Sequence, residues 1–373
     1  MTLDDLETPA ALVDLARCRE NARAVTAYLA EHGLTWRPHI KTHKSPRIAR
    51  IQLEAGARGL TVATPREAEV MSTVCDDLLL AYPVLGERKL RRVAALLEHV
   101  RLTVGLDGSE ALDGLAAAAR AAGGTAGVLV EMDVGMRRVG VGSVDEVVRL
   151  AARAAGLEGT EFRGVMFYPG HIRGPASTQD QALAAVAESV ARVLEALDRE
   201  GLVAEIVSGG STPTLWRSHD VPGMTEVRAG TAIYFDREGV ELGVAEPAHV
   251  AYSVLATVVS TAVPGQAVVD AGSKALAKEA RGGDGGGGFG VLLDRPEVVV
   301  AGVSEEHGVL DLARTAWRPR VGERVRIVPN HVCVSVNLQD RVWGLGPDGA
   351  LEPVELPARG RGPFRAEGAE ALV

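Results

Sequence analysis

Short apolar runs alternate with amphipathic stretches through the first two-thirds of this chain. Leu15, Val25 and Leu29 recur at roughly helical spacing, and similar patterns run over 144–155 and 179–200. The apolar runs between such stretches are typical of buried strands and cover 35–38, 59–64, 78–83, 102–107, 127–133, 162–168, 205–208 and 225–236. Alternation of strands with helices predicts a parallel sheet of the α/β class, and eight strands favour a closed (β/α)8 TIM barrel over an open sheet.

The pattern changes after residue 246. Segments 251–262, 267–270, 297–303 and 323–328 are rich in valine and show no helical spacing between them, which is typical of strands. We therefore expect a barrel domain over 11–245 and an all-β domain formed by 1–10 and 246–373. A chain of 373 residues is long enough for both.

Composition narrows the class of partner. The formal net charge is -9 and the Lys and Arg residues are scattered, which argues against nucleic acid as a partner. No apolar run is long enough to span a bilayer, and the N-terminus lacks the basic and apolar regions of a signal peptide. Cys18, Cys75 and Cys333 are odd in number and far apart, which suits a reducing cytoplasm without a disulfide framework.

Polar residues follow most of the predicted strands. Since the active sites of such barrels lie at the carboxyl ends of the strands, we expect these residues to converge in space. They are Lys41, Thr64, Asp133, Tyr168, His171, Ser208 and Tyr234.

Segment 37–44 lies where the first barrel strand should give way to a helix. Alternate residues of a strand share a face, so we expect His39, Lys41 and His43 to point the same way. A lysine held between imidazoles and away from bulk water is a candidate amine nucleophile for a carbonyl, including the aldehyde of pyridoxal phosphate (PLP). The ordinary alternative is an exposed basic turn, and the segment alone favours it.

Two further segments carry groups suited to anions. Ser208, Gly210, Ser211 and Thr212 belong to a Gly-rich segment after the seventh strand, where backbone N–H groups and a following short helix favour a phosphate. A simple Gly-rich turn is the alternative. Arg138, which follows the fifth strand, is suited to a phenolate or a carboxylate, or is a solvated surface residue.

His331 and Cys333 form a candidate metal pair. They are two residues apart, so on an extended strand they would face the same side. Imidazole and thiolate suit Zn²⁺, and two protein ligands leave positions for water or substrate. The alternative is a buried cysteine beside a structural histidine.

These segments together resemble a known family, the fold-type III PLP enzymes, and within it the eukaryotic-type D-serine dehydratase and D-threonine aldolase group. The resemblance runs from about Thr8 to Asp340. The motifs that carry it are Arg37-Pro38-His39-x-Lys41-Thr42-His43-Lys44, Asp133-x-Gly135-x-x-Arg138-x-Gly140, Tyr168-x-Gly170-His171, Ser208-Gly209-Gly210-Ser211-Thr212-Pro213 and Pro329-Asn330-His331-x-Cys333.

The resemblance implies an alanine racemase-like barrel with a C-terminal β domain, working as a homodimer. It makes Lys41 the Schiff-base lysine, places Arg138 at the phenolic oxygen of PLP and sets Tyr168 beside the cofactor ring. It assigns the phosphate to Gly210, Ser211 and Thr212 with Tyr234 nearby, and a divalent metal to His331 and Cys333. His39 and Ser208 complete the expected cofactor site, and His43 the expected catalytic set.

The implied activity is that of a PLP- and metal-dependent lyase acting on a 3-hydroxy-D-amino acid. His-x-Cys resembles the dehydratases, which give a 2-oxo acid and ammonia from D-serine, D-threonine or 3-hydroxy-D-aspartate, whereas His-x-Asp is typical of the aldolases. Val334 stands where the family has Pro, so retro-aldol cleavage to glycine and an aldehyde stays open. An amino-acid racemase, a PLP carrier and a barrel enzyme without PLP also stay open. Zinc is the expected metal, with manganese or magnesium as alternatives.

Overall fold

The structure, a computed structural model, describes residues 1–281 and 287–364. The chain divides into two compact units. We call residues 23–41, 48–230 and 357–364 the barrel unit, and residues 1–22, 42–47 and 231–356, without 282–286, the β unit. This division differs from the expected boundaries at 10/11 and 245/246, because 11–22, 42–47 and 231–245 fall with the β unit and 357–364 falls with the barrel unit. The parts of the expected β domain at 282–286 and 365–373 lie outside the described residues.

The barrel unit is built on a parallel sheet of eight strands within the described residues. The strands are β2 (Thr35–Trp36), β3 (Leu60–Val62), β4 (Asp77–Leu80), β5 (Arg101–Leu106), β6 (Ala126–Met132), β7 (Thr160–Phe167), β8 (Ile206–Gly209) and β9 (Glu226–Val227). Their order is β2-β9-β8-β7-β6-β5-β4-β3, and one parallel bridge between His39 and Thr61 joins the two ends. Each of the eight predicted strands is present, and the sheet is closed as the sequence predicts.

The eighth strand is much shorter than predicted. Of 225–236, only Glu226 and Val227 pair with neighbours. The chain then turns, because Tyr234 and Phe235 both donate their N–H groups to the carbonyl oxygen of Thr231. A 3-10 helix over Thr231–Ile233 and a short α-helix over Arg237–Glu241 replace the expected strand.

The helices of the described residues lie in both units, and most of them follow barrel strands. They are α1 (Leu15–Glu31), α2 (Pro46–Glu54), α3 (Pro65–Met71), α4 (Glu87–Leu96), α5 (Ser109–Ala121), α6 (Val144–Gly156), α7 (Asp180–Arg199), α8 (Arg237–Glu241), α9 (Ser273–Leu276) and α10 (Val332–Leu338). Helix α3 begins with Pro65 in the first turn and the Thr64 hydroxyl accepting the N–H of Glu67.

The β unit is a mainly antiparallel sheet, with nine strands among the described residues. They are β1 (Ala10–Asp14), β10 (Tyr252–Ser260), β11 (Gln266–Val269), β12 (Gly290–Leu292), β13 (Val300–Val303), β14 (Gly308–Asp311), β15 (Arg324–Pro329), β16 (Arg341–Leu345) and β17 (Leu351–Glu355). Strand β1 lies between β10 and β16, so the segment before α1 belongs to this sheet. Leu6, Leu12 and Leu255 form an apolar cluster there.

The barrel unit contains a buried ionic cluster. Arg37, 2% exposed, donates from Nη1 to Asp77 Oδ1 at 2.6 Å and from Nε to Glu226 Oε2 at 2.8 Å. The exposed Arg101 reaches the other oxygen of Asp77 at 2.9 Å. Burial alone would lower the pKa of Arg37, but the two carboxylates outweigh it and raise that pKa. The guanidinium thus stays charged between strands β4 and β9.

No helix in residues 1–281 and 287–364 is both long and apolar enough to cross a bilayer. Cys18, Cys75 and Cys333 are all free thiols.

Candidate active site

Lys41 does not lie on a strand, so the predicted common face of His39, Lys41 and His43 is wrong. Strand β2 ends at Trp36, and Ile40–Thr42 forms a turn of 3-10 helix. In this turn the backbone N–H of Lys41 donates to Nδ1 of His39 at 3.4 Å. The period of two residues that would align the three side chains is therefore lost, and Lys41 is exposed rather than held away from water.

Tyr168 brings together two of the predicted site residues in the barrel unit. Lys41 Nζ lies 5.7 Å from the centroid of its ring, and Arg138 Cζ lies 5.0 Å from the same centroid. Both distances allow cation–π attraction. Lys41 from the segment after β2, Arg138 from the loop after β6 and Tyr168, which directly follows β7, thus lie close together.

The loop that carries Arg138 is held by acceptor side chains. Asp133 Oδ1 accepts the N–H groups of Gly135 and Arg137, both at 3.0 Å. Asp107 Oδ2 accepts the N–H of Gly140 at 2.8 Å. These bonds fix the backbone on both sides of Arg138, while its own side chain is exposed.

The Gly-rich segment after β8 forms a tight turn. Gly210 has φ +75°, and a Cβ there would lie 2.8 Å from Cγ1 of Val227. Ser211 is buried, and its hydroxyl lies 3.0 Å from that of Thr214 at the entrance to a 3-10 helix over Leu215–Asp220. The predicted glycine turn, hydroxyl donors and following helix are therefore all present.

Ser208 is engaged inside the barrel unit. Its hydroxyl accepts from Nη1 of Arg228 at 2.8 Å, and Nη2 of the same guanidinium donates to the carbonyl oxygen of Phe167 at 2.7 Å. Burial lowers the pKa of Arg228, and the charges of Glu131 and Glu226 oppose that change. Sequence reasoning missed Arg228, since a single arginine in an apolar stretch carries no spacing signal.

Tyr234 and His43 lie in the β unit. The two rings stand edge to face with centroids 6.5 Å apart, and both side chains are fully buried. His43 Nδ1 accepts the backbone N–H of Ser45 at 3.1 Å. The hydroxyl of Tyr234 has no hydrogen-bond partner within the described residues. Burial raises its pKa well above the ordinary value, so this buried hydroxyl stays protonated and can donate to a ligand.

His331 and Cys333 lie at a junction of strand and helix, so their predicted placement on one extended strand is wrong. Strand β15 ends at Pro329, His331 is the N-cap residue of α10, and Cys333 lies in the first turn of that helix. A helix begins here because Asp236 Oδ2 accepts the N–H of Val332 at 3.0 Å. Helical geometry rather than strand alternation therefore sets the spacing of the two donors.

Two residues that sequence reasoning did not assign contact this pair. Asp236 Oδ2 lies 3.2 Å from His331 Nδ1, and the hydroxyl of Thr42 lies 3.2 Å from Cys333 Sγ. Burial alone would lower the pKa of His331, but its hydrogen bonds to Asp236 and Cys333 outweigh burial and raise it to about 11. Within 1–281 and 287–364, no group of three or more His, Cys, Asp or Glu side chains is placed to hold a metal ion.

Comparison with known proteins identifies the class that this fold and site define. Residues 13–238 match the family described as "Alanine racemase, N-terminal domain", and residues 251–345 match a serine dehydratase domain. The chain therefore belongs to the alanine racemase-like, fold-type III family of pyridoxal-phosphate enzymes. Within that family it is a PLP-dependent lyase, as the sequence predicts.

Individual relatives match nearly the whole chain. The D-threo-3-hydroxyaspartate dehydratase of Delftia sp. (strain HT23) is 34% identical, over 95% of this chain and 98% of that protein. The crystal structure of D-threonine aldolase from Filomicrobium marinum has a TM-score of 0.89 and 32% identity, over 96% of this chain and 97% of that one. A cysteine-to-alanine mutant of D-threo-3-hydroxyaspartate dehydratase in the metal-free form has a TM-score of 0.86 and 32% identity, over 97% and 100%.

The side chains present fit both groups that the family implies. The turn at Gly210, with φ +75°, favours a residue without Cβ, and the hydroxyl of Ser211 beside it is a hydrogen-bond donor, which suits a phosphate. In the β unit, the hydroxyl of Tyr234, which lacks a partner in the described part of the chain, is a donor that a ligand could satisfy. The imidazole of His331 and the thiol of Cys333 suit a divalent ion such as Zn²⁺.

Proposed function

We propose that this protein is a PLP- and metal-dependent dehydratase that converts a 3-hydroxy-D-amino acid to a 2-oxo acid and ammonia. The observation that carries the proposal is the His331–Cys333 pair, with Asp236 contacting the imidazole and Thr42 the thiol. Cysteine at the second position resembles the dehydratase branch. The metal-free form of the dehydratase mutant supports the same assignment, since that mutant has lost a cysteine.

The barrel unit supplies the groups for the cofactor. Lys41 would hold it covalently through Nζ, Gly210, Ser211 and Thr212 would bind its phosphate, and Arg138 would contact its phenolic oxygen. Bound there, PLP would supply an electron sink for the charge that develops at Cα of the substrate. The amine of Lys41 would act as the base that takes the α-proton of the substrate. Tyr168 would lie along the cofactor ring, with His39, Ser208 and Tyr234 as its outer contacts.

The β unit supplies the groups for the metal. His331 and Cys333 would hold a divalent ion, with zinc favoured by one nitrogen and one sulfur donor, and manganese or magnesium as alternatives. A Lewis acid there would stabilise the β-hydroxyl as it leaves. The α-proton and the departing hydroxide together make one water, and hydrolysis of the remaining enamine gives the 2-oxo acid and ammonia. His43, which is buried next to Tyr234 in the same unit, would belong to the catalytic residues.

Retro-aldol cleavage is the second candidate. The observation that favours it is the 0.89 TM-score with a D-threonine aldolase, and Val334, which stands where the family has Pro, leaves the branch open. In that reaction the β-hydroxyl loses its proton, the Cα–Cβ bond breaks, and the products are glycine and an aldehyde. The same ion would then favour the alkoxide instead of the departing hydroxide.

Product analysis separates the candidates. The holoenzyme is incubated with D-serine, D-threonine and 3-hydroxy-D-aspartate, with and without a chelator, and all products are quantified. We expect a 2-oxo acid and ammonia in equal amounts, and loss of both after chelation. If glycine and an aldehyde are the main products, the protein is an aldolase and not a dehydratase. Inversion at Cα alone would indicate a racemase, and bound PLP without turnover a carrier.

Borohydride reduction tests the cofactor assignment directly. We expect one pyridoxyl adduct, located on Lys41 by peptide mass spectrometry and absent from Lys41→Ala. Lys89→Ala, which removes an exposed lysine beside Tyr82, is the matched control and should keep the adduct. An adduct that persists in Lys41→Ala would overturn the assignment.

We further propose that the protein works as a homodimer in the cytoplasm, in line with the resemblance and with three free cysteines. Sedimentation equilibrium of the holoenzyme measures the oligomeric state. A mass equal to that of one 39.1 kDa chain would overturn the dimer.

A further inference from the structure

Asp236 joins two helix starts in the β unit. It is 3% exposed and is the N-cap residue of α8, where Oδ1 accepts the N–H of Gly239 at 3.0 Å. Its second oxygen accepts the N–H of Val332 at 3.0 Å and faces Nδ1 of His331 at 3.2 Å. Both oxygens are therefore engaged, and the carboxylate is fixed against rotation by two backbone donors.

This arrangement determines which nitrogen of His331 is available. A carboxylate oxygen accepts only, so the ring nitrogen that faces Asp236 carries a proton. The other nitrogen, Nε2, is then the one with a lone pair for a metal ion in the neutral ring. A carboxylate behind a ligating histidine fixes the ring orientation and makes the ligand more basic.

A second carboxylate nearby is not equivalent. Glu238 Oε2 lies 3.6 Å from His331 Nδ1, which is beyond a hydrogen bond. Its other oxygen lies 3.4 Å from Nη1 of Arg281. Glu238 therefore adds charge near the ring without directing it, and it serves as a matched control for Asp236.

We propose that Asp236 is the positioning residue of the metal site, holding His331 with Nδ1–H toward its carboxylate and Nε2 toward the ion. The inference rests on the proposed metal role of His331 and Cys333. Asp236 is thus a third residue of the site. It lies at the start of α8 and does not itself bind the metal ion.

The test compares Asp236→Asn, Asp236→Ser and Glu238→Gln with the unmodified protein. Asn and Ser both remain good N-cap residues, so α8 is retained while the carboxylate behind His331 is lost. Zinc affinity is measured by competition with a chromophoric chelator. We expect it to fall about 10- to 100-fold in both Asp236 variants, the usual cost of losing such a partner. Glu238→Gln should stay within about threefold, since it removes no hydrogen bond to the ring.

Three further readouts separate positioning from general stability. The Co²⁺-loaded protein should keep its thiolate charge-transfer band in the Asp236 variants, while the ligand-field bands that report the imidazole shift. The increase in unfolding temperature on adding Zn²⁺ should shrink, because that increase follows metal affinity. The metal-free Asp236 variants should themselves unfold at a lower temperature, because the N–H of Val332 loses its acceptor, so the zinc-dependent increase is the quantity to compare. A nitrogen-15 spectrum of Zn²⁺-loaded unmodified protein should show a proton on Nδ1 of His331, and this check does not depend on how the variants fold.

The outcomes distinguish this inference from the proposed function. If His331→Ala loses zinc but both Asp236 variants bind it normally, Asp236 is only a helix cap and the inference fails. A metal bound through Nδ1 in the unmodified protein would overturn it equally. If His331→Ala itself binds zinc as well as the unmodified protein, the metal site of the proposed function fails instead.

Discussion

The barrel unit and the β unit assemble their reactive side chains in opposite ways. In the barrel unit, Lys41, Arg138 and Tyr168 lie far apart in sequence and meet because each follows a strand of one parallel sheet. In the β unit, the two candidate ligands His331 and Cys333 come from one short segment. There the fold gathers only their partners, which are Thr42 and Asp236.

This difference means that cofactor binding and metal binding should be separable by substitution. A change at the barrel mouth should affect the cofactor and spare the metal, and a change in the β unit should do the reverse. Four substitutions, with effects of decreasing size, test this comparison.

Cys333→Ala should have the largest effect. Loss of one of two candidate protein ligands removes the Lewis acid, which contributes several kcal/mol to such reactions, so we expect activity to fall by roughly 10³-fold or more. Bound zinc should fall to background while PLP absorbance stays unchanged. Cys75→Ala is the control, because that thiol donates to the carbonyl oxygen of Asp77 at 3.3 Å in the barrel unit. Parallel loss of PLP and metal in Cys333→Ala would break the comparison.

Arg37→Leu should lower the free energy of unfolding rather than the affinity for one ligand. It leaves Glu226 buried without the cation that pairs with it, and it leaves Asp77 with Arg101 alone; an unpaired buried charge typically costs about 3–5 kcal/mol. Arg101→Leu removes a salt bridge to the same Asp77 from an exposed position, and should cost less than about 1 kcal/mol. Urea unfolding of both variants measures the difference. Equal losses of unfolding free energy in the two variants would show that burial does not determine how much Arg37 contributes to stability.

Sequence patterns predicted the barrel better than the site. Eight apolar runs marked the eight strands because strands buried on both faces must be apolar, whereas the ends of the strands, such as those at Trp36 and Val227, were not predicted. Wrong local geometry was assigned to 39–43 and 331–333, because both were treated as extended. Each segment instead begins a helical turn, and hydrogen bonds from side chains decide that, Asp236 among them.

Contacts between residues that are far apart in the chain could not be predicted from the sequence. Thr42 and Cys333 are 291 positions apart, and Arg228 reaches the carbonyl oxygen of Phe167 from 61 positions away. The role of each depends on where the folded backbone places it. Neither residue type nor spacing could distinguish Asp236 from other acidic residues after strands.

Gly210→Ala should weaken the binding of PLP without changing the binding of zinc. A non-glycine residue at φ +75° costs about 1–2 kcal/mol, and the added methyl would press on Val227 at 2.8 Å. We expect PLP affinity to fall about 5- to 30-fold, measured by dialysis and re-addition, with zinc binding unchanged. Gly201→Ala has a similar φ of +69° with nothing within 4 Å of the new methyl, so it controls for backbone strain. A loss of PLP in both variants would point to strain rather than to the phosphate turn.

Thr42→Val should have the smallest effect and the most informative one, since Thr42 directly follows Lys41 in the chain. Its hydroxyl lies 3.2 Å from Cys333 Sγ, and when the sulfur is a thiolate the hydroxyl must be the donor. A hydrogen bond to a charged group contributes roughly 1.5 kcal/mol, so zinc affinity should fall about 10-fold with the borohydride adduct on Lys41 unchanged. Thr42→Ser keeps the hydroxyl and should restore the affinity. If both variants bind zinc equally weakly, packing of the threonine methyl rather than its hydroxyl supports Cys333. If the adduct on Lys41 also disappears, a change at Thr42 affects the neighbouring Lys41 as well as Cys333. Cofactor binding and metal binding would then not be separable by substitution.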